Sequence, residues 1–202
     1  MKPDFNLLDA FKIFDTRGTG NVSVQDIVQA LKENMNFHEF THDDVFLLFR
    51  RHDSNCDGKL NFQEFSNCML PVSKEYAALL TDRPDFYMSR GVPTSQFFNF
   101  ETRNQLRQLF AALFKCERSC EALRVSLRQR PYFNIKQAFS FMDTDMDGYL
   151  NLEDFRDFLA NNGFYATERE LLGIMHKCDR NNNGRITFSE FVDEFQPKLG
   201  GI

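Results

Sequence analysis

Two twelve-residue stretches decide the reading of this chain: DSNCDGKLNFQE at residues 53–64 and DRNNNGRITFSE at residues 179–190. Both carry Asp at the first place, Asn at the third, Asp or Asn at the fifth, Gly at the sixth and Glu at the twelfth. Short carboxylate and amide side chains at alternate places can converge oxygen atoms on one centre. A hard cation such as calcium requires this, taking roughly six to eight oxygens at about 2.3–2.6 Å. Gly58 and Gly184 stand where the chain must turn back sharply, with φ angles that only glycine adopts without strain. A related stretch precedes each of these, DTRGTGNVSVQD at 15–26 before the first and DTDMDGYLNLED at 143–154 before the second.

The four stretches form a repeat. Residues 2–31 lie without a gap over residues 130–159, sharing a Pro-x-Phe-Asn lead-in (Pro3, Phe5 and Asn6; Pro131, Phe133 and Asn134) and an Ala-Phe pair (Ala10 and Phe11; Ala138 and Phe139). Self-similarity on this scale marks duplicated supersecondary units. Asp53 follows Asp15 by 38 residues and Asp179 follows Asp143 by 36, so the chain is two pairs, with extra residues inserted between them.

The four loops resemble those of the EF-hand family, and the wider pattern is similar to the calmodulin, centrin and troponin C group over residues 5–70 and 133–196. The resemblance implies an all-α fold of two helix-loop-helix pairs; the long amphipathic central helix expected to join them, read from the residue pattern, departs from those proteins, as does the damaged first loop. The resemblance also implies ligands at loop places 1, 3, 5, 7 and 12, place 7 contributing its backbone carbonyl. On that basis the metal-holding residues are Asp53, Asn55, Asp57, Lys59 and Glu64; Asp143, Asp145, Asp147, Tyr149 and Asp154; and Asp179, Asn181, Asn183, Arg185 and Glu190. The eighth place is Val22, Leu60, Leu150 and Ile186, where paired loops join through a short β-link. Thr41 with Asp44 and Thr167 with Glu170 have the spacing of capping boxes at helix starts.

The sites are unequal. The 53–64 loop is the strongest expected calcium site. The 143–154 loop has four carboxylates, but Asp154 is one methylene shorter than Glu, which weakens calcium and lets magnesium compete. The 179–190 loop has only Asp179 and Glu190 as charged ligands, beside Arg180 and Arg185, so reduced affinity is expected. The 15–26 loop offers Arg17 and Thr19 where ligands belong, and is expected to be a structural hand without metal.

The middle of the chain divides the expected organisation into an N-terminal pair at 1–70, a connector at 71–130 and a C-terminal pair at 131–202. Pro71, Pro84, Gly91 and Pro93 mark a short helix followed by an irregular connection. A helical pattern then runs over 95–130, with an apolar stripe of Leu106, Leu109, Leu113, Cys116, Cys120, Leu123 and Leu127, widened by Phe110 and Phe114. With Leu neighbours on the same stripe, Cys116 and Cys120 are read as buried thiols rather than a metal or redox pair. Basic residues dominate this helix: Arg103, Arg107, Lys115, Arg118, Arg124, Arg128 and Arg130 against Glu117 and Glu121. Basic amphipathic helices are typical targets of such lobes, so helix 95–130 is expected either to dock on the protein's own lobes, shared with an external partner when calcium opens them, or to be a long connecting helix packed permanently on one lobe.

The remaining features exclude other classes. With 24 Lys plus Arg, 29 Asp plus Glu and a net charge of −5 over 202 residues, a nucleic-acid binder is not expected. Neither a membrane span or anchor nor a secretory leader is expected. No nucleophile triad, phosphate loop or dinucleotide fingerprint stands out, so no enzyme is expected. Seven Met against 24 Phe favours a groove fitted to one dedicated protein partner. The expected function is a calcium sensor that exposes a hydrophobic groove for a partner helix, the alternative being a constitutive structural subunit. The expected compartment is the cytoplasm, the cytoskeleton or cilium being a finer expectation.

Overall fold

The computed structural model describes residues 4–71, 73–181 and 183–199, so Pro3 of the repeated lead-in lies outside the described residues. Contacts group the chain into two compact units, Met1–Glu121 and Ala122–Ile202.

In the first unit, α1 (Leu7–Phe14), β1 (Asn21–Ser23) and α2 (Val24–Met35) make one hand, and α3 (His42–His52), β2 (Lys59–Asn61) and α4 (Phe62–Met69) make the next. In the second, α7 (Ile135–Met142), β3 (Tyr149–Leu150) and α8 (Leu152–Asn161) are followed by α9 (Glu168–Cys178), β4 (Ile186–Thr187) and α10 (Phe188–Phe195). The connector holds α5 (Lys74–Thr81), two 3₁₀ turns at Met88–Arg90 and Thr94–Gln96, and the long helix α6 (Phe100–Arg128). The all-α expectation holds, with strands confined to the links between loops.

Local sequence explains the helix starts. Asn6 caps α1 by accepting from the Asp9 N–H, and Asn134 caps α7 through Lys136 and Gln137, which accounts for the repeated Phe-Asn lead-in. Thr41 with Asp44 and Thr167 with Glu170 close capping boxes, as their spacing predicts. Each loop's ninth and twelfth residues do the same: Ser23 with Asp26, Asn61 with Glu64, Asn151 with Asp154 and Thr187 with Glu190. The acid that closes each loop is therefore also the third residue of its exiting helix.

Val22 pairs with Leu60 and Leu150 with Ile186 in two antiparallel links, all four side chains fully buried. Above the first link, Phe14 touches Phe65 at 5.4 Å and Phe110 of α6 at 5.3 Å between ring centroids. Phe114 packs against Phe40 at 5.5 Å and lies parallel to Phe37 at 6.4 Å. Leu106, Phe110, Phe114, Phe97 and Phe98 thus belong to the same core as the first two hands. Each such ring is worth about 1.5–3 kcal/mol on burial. The second unit has its own core, built from Phe139, Leu150, Phe155, Leu171, Ile186 and Phe191.

The face that α6 buries differs from the expected stripe. Leu109 and Leu123 are exposed, at 37% and 71%, and so is Cys116, while Cys120 is half-buried, so the reading of both cysteines as buried thiols is corrected. The buried line is Thr102, Leu106, Phe110, Phe114, Glu117, Glu121 and Arg124. Charges occupy its second half because they are paired. Within the first unit, Arg51 Nε donates to Glu117 Oε1 at 2.5 Å and Nη2 to Oε2 at 3.3 Å. Within the second, Arg124 donates to the Glu194 carboxylate and backbone carbonyl, both at 2.6 Å. The helix also begins at Phe100 rather than near residue 95, because Asn99 accepts from the Thr102 N–H and the preceding Phe97 and Phe98 turn into the core. Cys68 is buried next to Arg51 and Glu117; burial pushes its thiol up to about 12, so it acts as a packing group.

Candidate metal centres

Each loop is organised by its first aspartate. Asp53 accepts from the Asp57 and Gly58 N–H groups at 3.1 and 2.8 Å, Asp143 from Asp147 and Gly148 at 3.2 and 3.1 Å, and Asp179 from Asn183 and Gly184 at 3.2 and 2.7 Å. The third place repeats the device one step on: Asn55, Asp145 and Asn181 accept from the N–H of the fifth residue. The fifth place accepts from the seventh, through Asp57 to Lys59, Asp147 to Tyr149 and Asn183 to Arg185, at 2.8, 2.8 and 2.9 Å. Side-chain oxygens are thereby drawn to the inside of the loop while backbone N–H groups are satisfied from within. The turn needs left-handed backbone, supplied by Gly58, Gly148 and Gly184 at φ 76°, 84° and 79°, and also taken by Cys56 and Met146 at the fourth place.

The twelfth residue closes the loop. Glu64 accepts from the Ser54 N–H and hydroxyl through Oε1, at 3.0 and 2.7 Å, and from Asn61 N–H through Oε2 at 3.0 Å. Asp154 accepts from the Thr144 hydroxyl at 3.0 Å and from Asn151 N–H at 2.9 Å. Glu190 accepts from Arg180 N–H and the Asn181 amide on one oxygen and from Thr187 on the other. The hydroxyls of Ser54 and Thr144, which aim the closing acid, were not singled out from sequence. Their signal is a hydroxyl residue at the second place.

These arrangements fit a hard divalent cation. Among the described residues, Asp143, Asp145 and Asp147 place carboxylate oxygens within 4.8 Å of one another. Oxygens on opposite sides of a bound calcium stand about 5 Å apart, twice the metal–oxygen distance. Loop 179–190 is less charged, and Arg185 stands 3.8 Å from Asp147 of the neighbouring loop while its guanidinium lies 5.4 Å from the Tyr149 ring centroid.

Loop 15–26 keeps the frame and loses the donors. Asp15 still accepts from the Thr19 and Gly20 N–H groups, at 2.8 and 2.9 Å. The Thr19 hydroxyl donates to the Asn21 carbonyl at 2.9 Å, tying up the seventh-place oxygen. Arg17 donates to both Asp26 oxygens, at 3.0 and 3.1 Å. Burial alone would raise the Asp26 carboxyl, but hydrogen bonds from Ser23 and the Arg17 guanidinium outweigh it and hold the group below the usual carboxylate range.

Comparison with known proteins agrees with this geometry. The EF-hand domain pair family matches at residues 4–70 and 132–196. Calcium-binding protein 1 of Rattus norvegicus is 31% identical over 96 residues, which is 48% of this chain and 30% of that protein. Myosin regulatory light chain LC-2, mantle muscle, of Todarodes pacificus is 32% identical over 78 residues, 39% of this chain and 48% of that one. Calcium-dependent protein kinase 17 of Arabidopsis thaliana is 36% identical over 74 residues, 35% of this chain and 14% of that protein. The chain thus spans less than half the length of each of these relatives. With both of its halves matched, it belongs to the EF-hand domain pair family, and that membership implies calcium binding.

Proposed function

We propose that the chain is a calcium-binding regulatory protein with unlike halves: a first unit closed on its own helix α6, and a second unit that receives a partner helix. The observation that carries this reading is the burial of Phe110 and Phe114 in the core of the first two hands, 0% and 1% exposed. In the second unit Phe141, Phe164 and Tyr165 are exposed at 73%, 67% and 86%. Phe164 and Tyr165 line one open cavity together with Leu159, Ala166 and Ile174, and a contiguous apolar surface of this kind marks an interaction site.

The ligands in this reading are the fifteen residues named from the sequence, five from each of the loops 53–64, 143–154 and 179–190. Calcium, when bound, supplies the positive charge that the clustered loop oxygens lack. The capping boxes link each closing acid to its exiting helix, so any adjustment of Glu64, Asp154 or Glu190 is passed to α4, α8 or α10. Asp154, the shorter acid, gives its loop the greatest tolerance for magnesium. The three-part organisation of N-terminal pair, connector and C-terminal pair is retained as the functional division.

The constitutive alternative is favoured for the first unit alone, where the ion pairs of Glu117 and Arg118 hold α6 in place. Among the described residues no helix is long and apolar enough to cross a membrane. Calorimetry of the full chain with calcium in millimolar magnesium, alongside a hydrophobic dye, tests the reading. Binding with added dye fluorescence supports it; binding without any dye response favours the structural subunit.

A further inference from the structure

The first unit shows how this chain's own hands hold a helix, and the repeat carries that template to the second. Asp44 and Arg51 stand nine and two residues before Asp53; Glu170 and Lys177 stand nine and two residues before Asp179. In the first unit these are the residues α6 meets. Arg118 donates to Asp44 at 2.9 and 3.0 Å, Glu117 pairs with Arg51, and the Phe114 ring rests on Phe37 and Phe40 from the linker between the hands.

In the second unit the matching positions line an open cavity of about 500 Å³, walled by Leu159, Phe164, Ala166 and Ile174 with Glu170 and Lys177. Leu159 and Ile174 are half-buried, whereas their counterparts Leu31 and Leu48 are fully buried. Gly173 stands where the first unit has the buried Leu47, and a Cβ there would meet nothing within 4 Å. Glu170 accepts from the Thr167 N–H and hydroxyl just as Asp44 accepts from Thr41, so the two carboxylates are held by the same device.

We propose that this cavity takes an amphipathic helix of a partner protein bearing an aromatic residue followed, three and four residues later, by an acid and an arginine. This is the pattern Phe114, Glu117 and Arg118 that α6 presents to the first unit. It rests on the reading of the second unit as a helix receiver, and it names that helix's chemistry. The aromatic ring fills the space above Gly173, the acid meets Lys177 and the arginine meets Glu170. Lys177 also stands 3.8 Å from Glu194, and the incoming acid competes with its present contacts. A lysine offers a point charge where Arg51 offers a planar fork, so the contact in the second unit is the more readily reversed.

The test uses a fluorescein-labelled peptide of residues 100–121, titrated with the full chain in calcium under reducing conditions and followed by anisotropy. The peptide should bind, and Lys177→Glu should weaken it by at least about tenfold. A peptide carrying Glu117→Lys should recover most of that loss against the Lys177→Glu chain. Gly173→Trp, whose ring would take up the space the partner's aromatic residue fills and which replaces glycine with a better helix former, should abolish binding while circular dichroism and unfolding stay intact. Unchanged affinity in both chain variants would overturn the proposal. Equal binding of a peptide with Glu117 and Arg118 both changed to Gln would overturn the charge pattern while leaving the helix-receiver reading standing. Failure of every peptide to bind would remove both. Self-association of the chain that is lost on Lys177→Glu would give the cavity to a second copy and overturn the assignment to a partner protein.

Discussion

Arg17 reaches across the first loop to Asp26 and donates to both of its carboxylate oxygens, at 3.0 and 3.1 Å. The third and twelfth places of that loop, which in the other three loops are the proposed cation ligands, here hold each other. A positive charge carried by the chain stands where the other loops gather bare oxygens, and the Thr19 hydroxyl closes the seventh-place carbonyl. The frame survives because Val22 still pairs with Leu60 across the β-link, so the second loop keeps its partner.

Arg17→Ala should leave calcium stoichiometry unchanged and cost less than about 1 kcal/mol, because the Arg17 side chain is 68% exposed and surface pairs are weak. The combination Arg17→Asp, Thr19→Asp and Asp26→Glu should add one calcium per chain. Calorimetric stoichiometry of the two variants checks both statements.

Glu64→Gln should remove the strongest site of the first unit. The amide keeps the length of the side chain but offers one oxygen and no charge, and its NH2 would face the Ser54 or Asn61 N–H that the carboxylate now accepts from. The expected result is one calcium fewer per chain. Asp154→Glu should act in the opposite sense, shifting its loop from magnesium toward calcium, as measured by competition titration.

Asp9 ties the connector to the first hand. Fully buried, it accepts from three consecutive backbone N–H groups, Phe86, Tyr87 and Met88, at 2.8 to 3.0 Å. Burial alone would raise its carboxyl, but the bonds from Asn6 and these amides outweigh it and hold the group below the usual carboxylate range. A lowered folded value means that this stabilisation is complete above the ordinary carboxylate range and is lost as pH falls through the folded value. Asp9→Asn should cost about 1–3 kcal/mol at neutral pH, by turning a donor toward donors, and should blunt the acid sensitivity of unfolding. Urea titrations at neutral and acid pH measure both effects.

Phe114→Ala should cost about 3–5 kcal/mol, a large share of a domain's stability, since its ring contacts Phe37, Phe40 and Phe110 together. Phe141→Ala, on an exposed ring of the second unit, should cost far less. Denaturant unfolding of the two variants gives the comparison.

What the sequence made legible was local. Every loop oxygen sits within twelve residues of its neighbours, so ligand type, glycine turn and helix cap could be read together from a single window. The eighth-place pairing followed because Val22, Leu60, Leu150 and Ile186 share one position in a repeat. The facing of α6 was not legible from its own residues. Leu109 and Leu123 fit an apolar stripe, yet Glu117 and Arg124 are buried in their stead, because their partners Arg51 and Glu194 lie 66 and 70 residues away. The role of Asp9 was hidden for the same reason: the amides it accepts from come 77 to 79 residues later. The Arg17–Asp26 pair lay between. Its residues marked the loop as deficient, but only the folded turn brings the guanidinium onto the carboxylate.

Hydrogen exchange of the full chain, read by mass spectrometry with calcium and with chelator, tests the central claim most directly. If the first unit is closed on its own helix and the second is the responsive one, amides of residues 106–118 stay protected in both conditions while those of residues 159–177 change with calcium. Loss of protection over 106–118 on adding calcium, with 159–177 unchanged, would contradict it.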